Sequence, residues 1–474
     1  MQFLNRRIEL TYLDERYARN RAEIAILYGR RRVGKSALLY HWSADKPRCF
    51  FWARRESEVE ALARFASELH AAQGNSAQSI PQFANWAAAF DYLAKWTQTQ
   101  RTVVVIDEFP YLVEASPGIA TILQEAWDRR LQHSQLYLAL TGSVMGVMLR
   151  ETIDATAPLY KRHTWPFQLK PLRIYDLPEF FPKRTPIELV ETFAILGGMP
   201  FNLTNLDRDA TLQQNIRQEI LTPAGSLFAE PLVQLHEEIG SGDPIIFMRI
   251  LTAIAQGFHR RADIAARAAL PDPHRVDHYL ATLTESGLIE RREPLDRRVG
   301  GRSWGMYHLL DPFYRFWHRW VLPKREVLEI GHGVESTLDE LRYEWSHFIA
   351  PTWEELARTH LFVASGRAFP FFISEVGSWW NAHAQIDVVG VNRNERRVIL
   401  GEAKWLNTPM TSQQLDALID RGRLWLDGES GWDTHYALFS RSGFNQSLVD
   451  VAEYDPKVHL FTPENMFEST KKSQ

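Results

Sequence analysis

A single cysteine, Cys49, excludes an internal disulfide and a cysteine-rich zinc site. The 16 histidines form no HExxH or paired-ligand pattern, so no zinc is expected. No apolar run reaches the roughly 18 residues a membrane span needs. Met1 to Leu10 carries arginines but no apolar stretch of signal-peptide length. Together these set the expectation of a reducing cytoplasm and no membrane. The formal net charge of −4 gives no bulk attraction to nucleic acid, so any DNA contact has to come from local patches. What is left is a chain of 474 residues, 45% hydrophobic, long enough for roughly two to four domains.

Near its start, Gly29-Arg30-Arg31-Arg32-Val33-Gly34-Lys35-Ser36 fits GxxxxGK[ST] at every defined position. The apolar run Ile24–Tyr28 precedes it and Ala37–Trp42 follows with helical character, which is the strand-to-helix turn the motif needs. The glycines let backbone N–H groups close on phosphates, and the helix N-terminus favours their charge. Lys35 is expected to reach the β- and γ-phosphates and Ser36 to ligate Mg²⁺, with Gly29 to Ala37 as the nucleotide-binding stretch.

A second element completes such a site. Val103–Ile106 is a β-branched run suited to a buried parallel strand, and it delivers Asp107-Glu108 at its C-terminal end. Asp107 is expected in the Mg²⁺ shell, and Glu108 as the group that orients or deprotonates the attacking water. A further strand, Leu136–Leu140, ends in Thr141-Gly142-Ser143. Ser143 is either a γ-phosphate sensor or a polar turn residue.

Strand and helix signals alternate from about residue 20 to about 145, the order of a parallel sheet wrapped by helices. Ser57 to His70 reads as an amphipathic helix with Val59, Leu62, Phe65, Ala66 and Leu69 on one side. Past Pro171 the strand signals thin, and Pro186 to Asn202 has helical spacing interrupted by Gly197-Gly198-Met199-Pro200, which predicts a helical lid. Then come predicted helices at Ile245–Ala255, Asp263–Ala269 and His274–Ser286, a turn at Pro271-Asp272-Pro273, and strands about Gly287–Glu290 and Trp304–Leu309 with a hairpin tip at Arg297–Arg302. That is the winged helix-turn-helix order. Between Gly257 and Arg302, nine arginines face seven acids, five of the arginines in the wing. A DNA reader that tracks the phosphate backbone and a partner-packing module both remain open.

The C-terminal part holds another dense signal. Ile386–Val391 and Arg397–Lys404 read as two strands. A two-residue loop at Asn394-Glu395 sets a register in which Asp387 faces Glu402. Asp387, Glu402 and Lys404 then share one face with Val389, Val391, Val398 and Leu400. Three charges on an otherwise apolar face are expensive without a purpose. Two carboxylates can hold a divalent metal and a lysine can orient the nucleophile, the D…(D/E)xK arrangement of metal-dependent nucleases, with a structural Lys404 salt bridge as the alternative. Glu354 or Glu355 on a preceding helix could add a third acid, and Gln413 or Gln414 could position substrate. Trp379-Trp380 is better placed for core packing than for base stacking.

Taken together, the chain resembles the archaeal-type P-loop ATPases of the AAA/STAND group, which join an ATPase core, a winged helix and a PD-(D/E)XK nuclease-like domain. The likeness rests on Phe3–Leu10, Tyr28–Ser36, Ile106–Phe109, Leu140–Ser143, Gly197–Pro200, Leu309–Trp317 and Trp379 to Trp405. It implies an α/β P-loop NTPase core with a parallel sheet (1–170), a helical lid (171–240), a winged helix-turn-helix (241–325) and an α/β restriction-endonuclease-like domain (326–474). It also implies that Gly198 and Pro200 form a GxP element closing on the nucleotide base, and that Arg162 senses phosphate. Two positions depart from the family pattern: Ile386 stands in place of proline, and Gln385 where an acid is often seen. The expected function is an ATP- and Mg²⁺-dependent switch controlling a nuclease that uses a second divalent metal on DNA. The alternative is a signalling or scaffold ATPase with a non-cleaving C-terminal domain. A homo-oligomer or a protein partner is possible in either case.

Overall fold

The computed structural model describes residues 3–74, 79–239, 243–270, 275–296 and 305–471. The chain divides into two compact units: Met1–Pro171 with Gln234–Gly240, and Leu172–Val233 with Ser241–Gln474. Among the described residues no helix is long and apolar enough to cross a membrane.

In the first unit five strands, β1 (Glu23–Tyr28), β2 (Arg48–Trp52), β3 (Thr102–Asp107), β4 (Leu136–Gly142) and β5 (Trp165–Gln168), form one sheet in the order β2-β3-β4-β1-β5. Every pairing is parallel, which is why β3 and β4 read as unbroken apolar runs and are buried throughout. Because β4 lies between β1 and β3, its C-terminal end separates the phosphate loop after β1 from the acids after β3. Ile24, Ile26, Val104, Ile106 and Leu138 pack with Phe65, Leu69, Trp86 and Phe90 from covering helices. One of these helices, Glu58–Ala72, starts with a Ser57/Glu60 capping box. It buries Leu62, Phe65, Ala66 and Leu69 as its periodicity predicts, but Val59 points to solvent at 77% exposure. Val59 lies in the first turn, and Ala61 takes its place in the buried stripe.

In the second unit the helix Pro186–Leu196 is capped by Thr185 and ends at Gly197, whose φ of 65° is left-handed. Gly198 is required by a close approach: its carbonyl accepts from Leu172 N at 2.7 Å, and a Cβ there would lie 1.8 Å from the Leu172 carbonyl oxygen. Pro200 opens the short helix Pro200–Thr204. Helices Pro244–Ala255, Arg261–Arg267 and Val276–Glu285 follow, then an antiparallel pair, β6 (Ile289–Arg292) and β7 (Met306–Leu309). The predicted turn at 271–273, the start of the third helix at His274 and the hairpin tip at 297–302 lie outside the described residues.

The remainder of this unit has a 31-residue helix, Val334–Ala364, and a mixed sheet ordered β12-β11-β10-β9-β8. Its strands are β8 (Glu375–Trp380), β9 (Gln385–Asn392), β10 (Arg397–Lys404), β11 (Asp433–Ser440) and β12 (Val458–Phe461). β8, β9 and β10 run antiparallel, whereas β10–β11 and β11–β12 are parallel, the first joined through the helix Ser412–Leu426. The β9–β10 register is the predicted one, with Val391 opposite Val398 and Val389 opposite Leu400. The loop is not. It spans four residues, 393–396, and the left-handed residue is Arg396 (φ 51°) rather than Asn394. The Asn392 carboxamide accepts from Glu395 N at 3.1 Å and closes this wider turn. The register of β8 against β9 shifts between Gly377 and Trp379, a bulge that puts an extra residue into β9 beside Asp387.

Candidate functional site

In the first unit the phosphate loop is shaped by backbone geometry. Gly29 has a φ of 147°, and a Cβ on it would meet the Leu169 carbonyl oxygen at 2.4 Å. Gly34 (φ 97°) turns the chain into the helix Lys35–Trp42, with Arg32 (φ 63°) two residues before it. The sequence alone did not single out the strut beneath. Buried Arg6 donates to Val33 O and to Lys170 O, both at 2.8 Å, and so holds the loop's underside to the end of the unit. Arg31 donates to the Tyr111 hydroxyl at 2.5 Å, and Ala37 lies exposed in the helix's first turn.

Lys35 is buried, and its ammonium donates to Gly29 O (2.8 Å) and Arg30 O (3.1 Å). Burial pulls its pKa down, and the negative fields of Glu108 and Asp107 resist that shift. Asp107, at the end of β3, accepts from the Thr141 hydroxyl, and the Ser36 hydroxyl lies near enough to act on its pKa. Burial pushes its carboxyl up while those two hydroxyls hold it back. Thus Ser36 and Asp107, predicted on separate motifs, come together at one end of the sheet.

Glu108 has a left-handed backbone (φ 55°) at the N-cap of the helix Phe109–Ala115, which turns its side chain back toward β4. Ser143 Oγ donates to its carboxylate at 2.8–2.9 Å, and Ser143 N adds a bond of 3.2 Å. Ser143 thus holds Glu108 by both its hydroxyl and its main-chain N–H. Arg162 pairs with Asp128 at 2.9 Å, so its guanidinium is engaged on the helix Ile119–Arg129. Gly198 and Pro200 belong to the second unit.

In the second unit the C-terminal trio does converge. Lys404 Nζ lies 2.6 Å from Glu402 Oε1 and 3.7 Å from Asp387 Oδ2. Burial lowers the Lys404 pKa, but Glu402 and Asp387 outweigh it and the net shift is upward. The bulge in β9 lets Asp387 reach across, where Ala403 N donates to Oδ2 at 3.3 Å. Sequence reasoning missed Arg421, which binds Glu402 Oε2 at 2.7 Å. It lies on the helix Ser412–Leu426 beyond the two predicted glutamines. Gln414 spends its carboxamide on the Thr411 cap and Gln413 is exposed, and neither lines the site. Glu354, Gln385, Asp387, Lys404, Asp420 and Arg421 line an open cavity of about 780 Å³.

The two candidate third acids separate cleanly. Glu355 is held by Arg358 (2.9 Å) and by Arg292 from β6 (2.8 Å). Glu354 faces the cavity, where burial, then Asp387, pushes its pKa up to about 7. Arg358 also donates to Asp387 O at 2.8 Å, fixing the main chain that carries the first acid. Trp379 and Trp380 are both buried. Among the described residues no group of three or more His, Cys, Asp and Glu side chains is arranged to hold a metal.

Comparison with known proteins bears mainly on the first unit. Residues 3–206 match the profile of an ATPase domain predominantly from Archaea, and residues 317–416 match a family of archaeal and bacterial proteins of unknown function. An uncharacterized protein of Methanocaldococcus jannaschii is 26% identical over 404 residues, covering 85% of this chain and 87% of that protein. A second protein of that organism, described as ATP-binding, is 44% identical over 46 residues, 10% of this chain and 78% of its own. Among solved structures, a Walker-type ATPase of Pyrococcus abyssi aligns with a TM-score of 0.49 and 22% identity over 67% of this chain and 96% of that one. The profile match agrees with the complete phosphate loop, the parallel sheet and the acids at the end of β3, all within residues 3–206, in marking this part of the chain as a P-loop ATPase core.

Proposed function

We propose that the chain is an ATP-hydrolysing switch coupled to a nuclease-type site in residues 326–474 that acts on DNA. The observation that carries the ATPase half is the buried Lys35 ammonium, held on Gly29 O and Arg30 O in the field of Asp107 and Glu108. In this reading Gly29 to Ala37 cradle the phosphates, Lys35 neutralises the β- and γ-groups, and Glu108, held by Ser143, takes the proton of the attacking water. Ser36 and Asp107 form the oxygen set that suits Mg²⁺, which would supply charge neutralisation at the phosphates.

For the C-terminal site, Asp387 and Glu402 offer a donor set that fits Mg²⁺, since that ion keeps several waters and needs only one or two carboxylates. A divalent ion there would activate water and steady charge on a phosphodiester. Lys404 then orients the nucleophile, and Glu354, raised in pKa, holds or releases a proton within the cavity. The test is incubation of the full chain with single- and double-stranded DNA and RNA, with Mg²⁺ or Mn²⁺, with and without ATP. Cleavage lost on Lys404→Ala and Glu402→Ala is the expected result.

One observation favours a second reading. Both Glu402 oxygens already carry cations, Lys404 on one and Arg421 on the other. A C-terminal domain that binds partners or nucleic acid without cutting predicts ATP hydrolysis with no cleavage of any of the four substrates.

A further inference from the structure

Besides Asp107 and Glu108, a third carboxylate stands against the phosphate loop. Glu238 lies in Gln234–Gly240, the late segment that belongs to the first unit. Its Oε1 is 3.3 Å from Arg30 Nε, and the two side chains are only 4% and 8% exposed. Gln234, one turn earlier on the same helical face, is buried as well at 2% exposure. The segment thus buries two polar side chains, Gln234 and Glu238, beside the apolar Leu235. Glu238 is also close enough to help keep the Lys35 ammonium charged. The Glu238 carboxylate therefore pairs with Arg30 and acts on the Lys35 ammonium, two cations of the loop that the ATP-site reading assigns to the phosphates.

We propose that Glu238 sets the affinity of the nucleotide site by competing with the phosphates for Arg30 and Lys35. Nucleotide then binds against this carboxylate, and full engagement of the loop requires Arg30 to exchange Glu238 for phosphate. The opposition grows with the charge of the ligand, so it discriminates triphosphate from monophosphate in a way that no packing contact does. The inference rests on the ATP-site reading above.

Calorimetric titration of the full chain with ATP, ADP and AMP in the presence of Mg²⁺ tests it, using wild type, Glu238→Gln and Glu238→Asp, each checked by thermal melting. Glu238→Gln is expected to tighten ATP binding by about tenfold, ADP less, and AMP least. Glu238→Asp keeps the charge and should stay near wild type. ATP affinity that is unchanged or weaker in Glu238→Gln overturns the proposal, as does an equal gain for all three ligands. If wild type binds no ATP and Lys35→Ala behaves identically, the nucleotide-site reading itself falls and takes this inference with it.

Discussion

The chain carries two acid clusters at strand ends, and they are held in opposite ways. In the ATPase domain, neutral hydroxyls grip the carboxylates: Thr141 on Asp107, Ser143 on Glu108. In the C-terminal sheet, cations do the work: Lys404 and Arg421 on Glu402, with Lys404 near Asp387. A hydroxyl fixes a carboxylate's geometry and leaves its charge available to an incoming cation. An ammonium or guanidinium fixes the geometry and consumes the charge, so a metal has to compete for the same oxygens. Among the described residues the first arrangement holds its carboxylates without an ion pair of its own, while the second carries its own counter-charge.

The largest expected effect breaks the first cluster. Lys35→Ala removes the buried cation facing Asp107 and Glu108, and should weaken ATP binding by on the order of 100-fold in a fluorescent-nucleotide titration. Glu108→Gln keeps the Ser143 contact and loses the base, so hydrolysis should fall roughly 100-fold or more with ATP affinity retained. Ser143→Ala leaves Glu108 charged but no longer held. A fall in turnover of about tenfold without a change in ATP affinity is expected from that loss of positioning. Equal losses in turnover and affinity would mean that Ser143 touches nucleotide directly.

The comparison sharpens at Arg421. If cations occupy Glu402 at the expense of a metal, Arg421→Ala should tighten Mn²⁺ binding severalfold, measured by paramagnetic titration with the ATPase domain saturated in nucleotide. Weaker Mn²⁺ binding would make Arg421 a support for the metal site instead.

These differences explain what was legible in the sequence. The phosphate loop is contiguous, so its residues and the turn that carries them could be read together. The β9–β10 register came out as predicted because the assumed two-residue loop and the observed four-residue loop share one centre, between Asn394 and Glu395. The four-residue loop was not legible, because Arg396 takes a left-handed backbone that its residue type does not advertise. Glu354 and Glu355 are adjacent on a helix, and Glu355 is drawn aside by Arg358 together with Arg292 from another part of the unit, a partner that local sequence does not reveal. Arg421 escaped for the same reason: the crossover helix returns it to β10 beyond the glutamines that spacing favoured. Arg6 and Glu238 approach the phosphate loop from segments on either side of it in the sequence, and no local pattern marks them.

The smallest effect separates the clusters by pH. Glu354 is pushed up to about 7 from 4.5 by burial and by Asp387, while Arg358 and Lys404 pull it back. A carboxyl raised in this way binds its proton more tightly in the folded chain than in the unfolded one. Its contribution to stability is therefore complete below about pH 4.5 and is lost as pH rises through about 7. Glu354→Gln has the shape of the protonated acid and does not titrate. Between about pH 5 and 8, wild type should lose on the order of 2 kcal/mol relative to that variant, seen as a widening gap in melting temperature. Saturating Mg²⁺ should narrow the gap at the upper end if the cavity takes a divalent ion, because the cation favours the ionised acid. A gap that widens with pH but ignores Mg²⁺ would leave the C-terminal cluster neutralised by Lys404 and Arg421 alone, and would favour the non-cleaving reading.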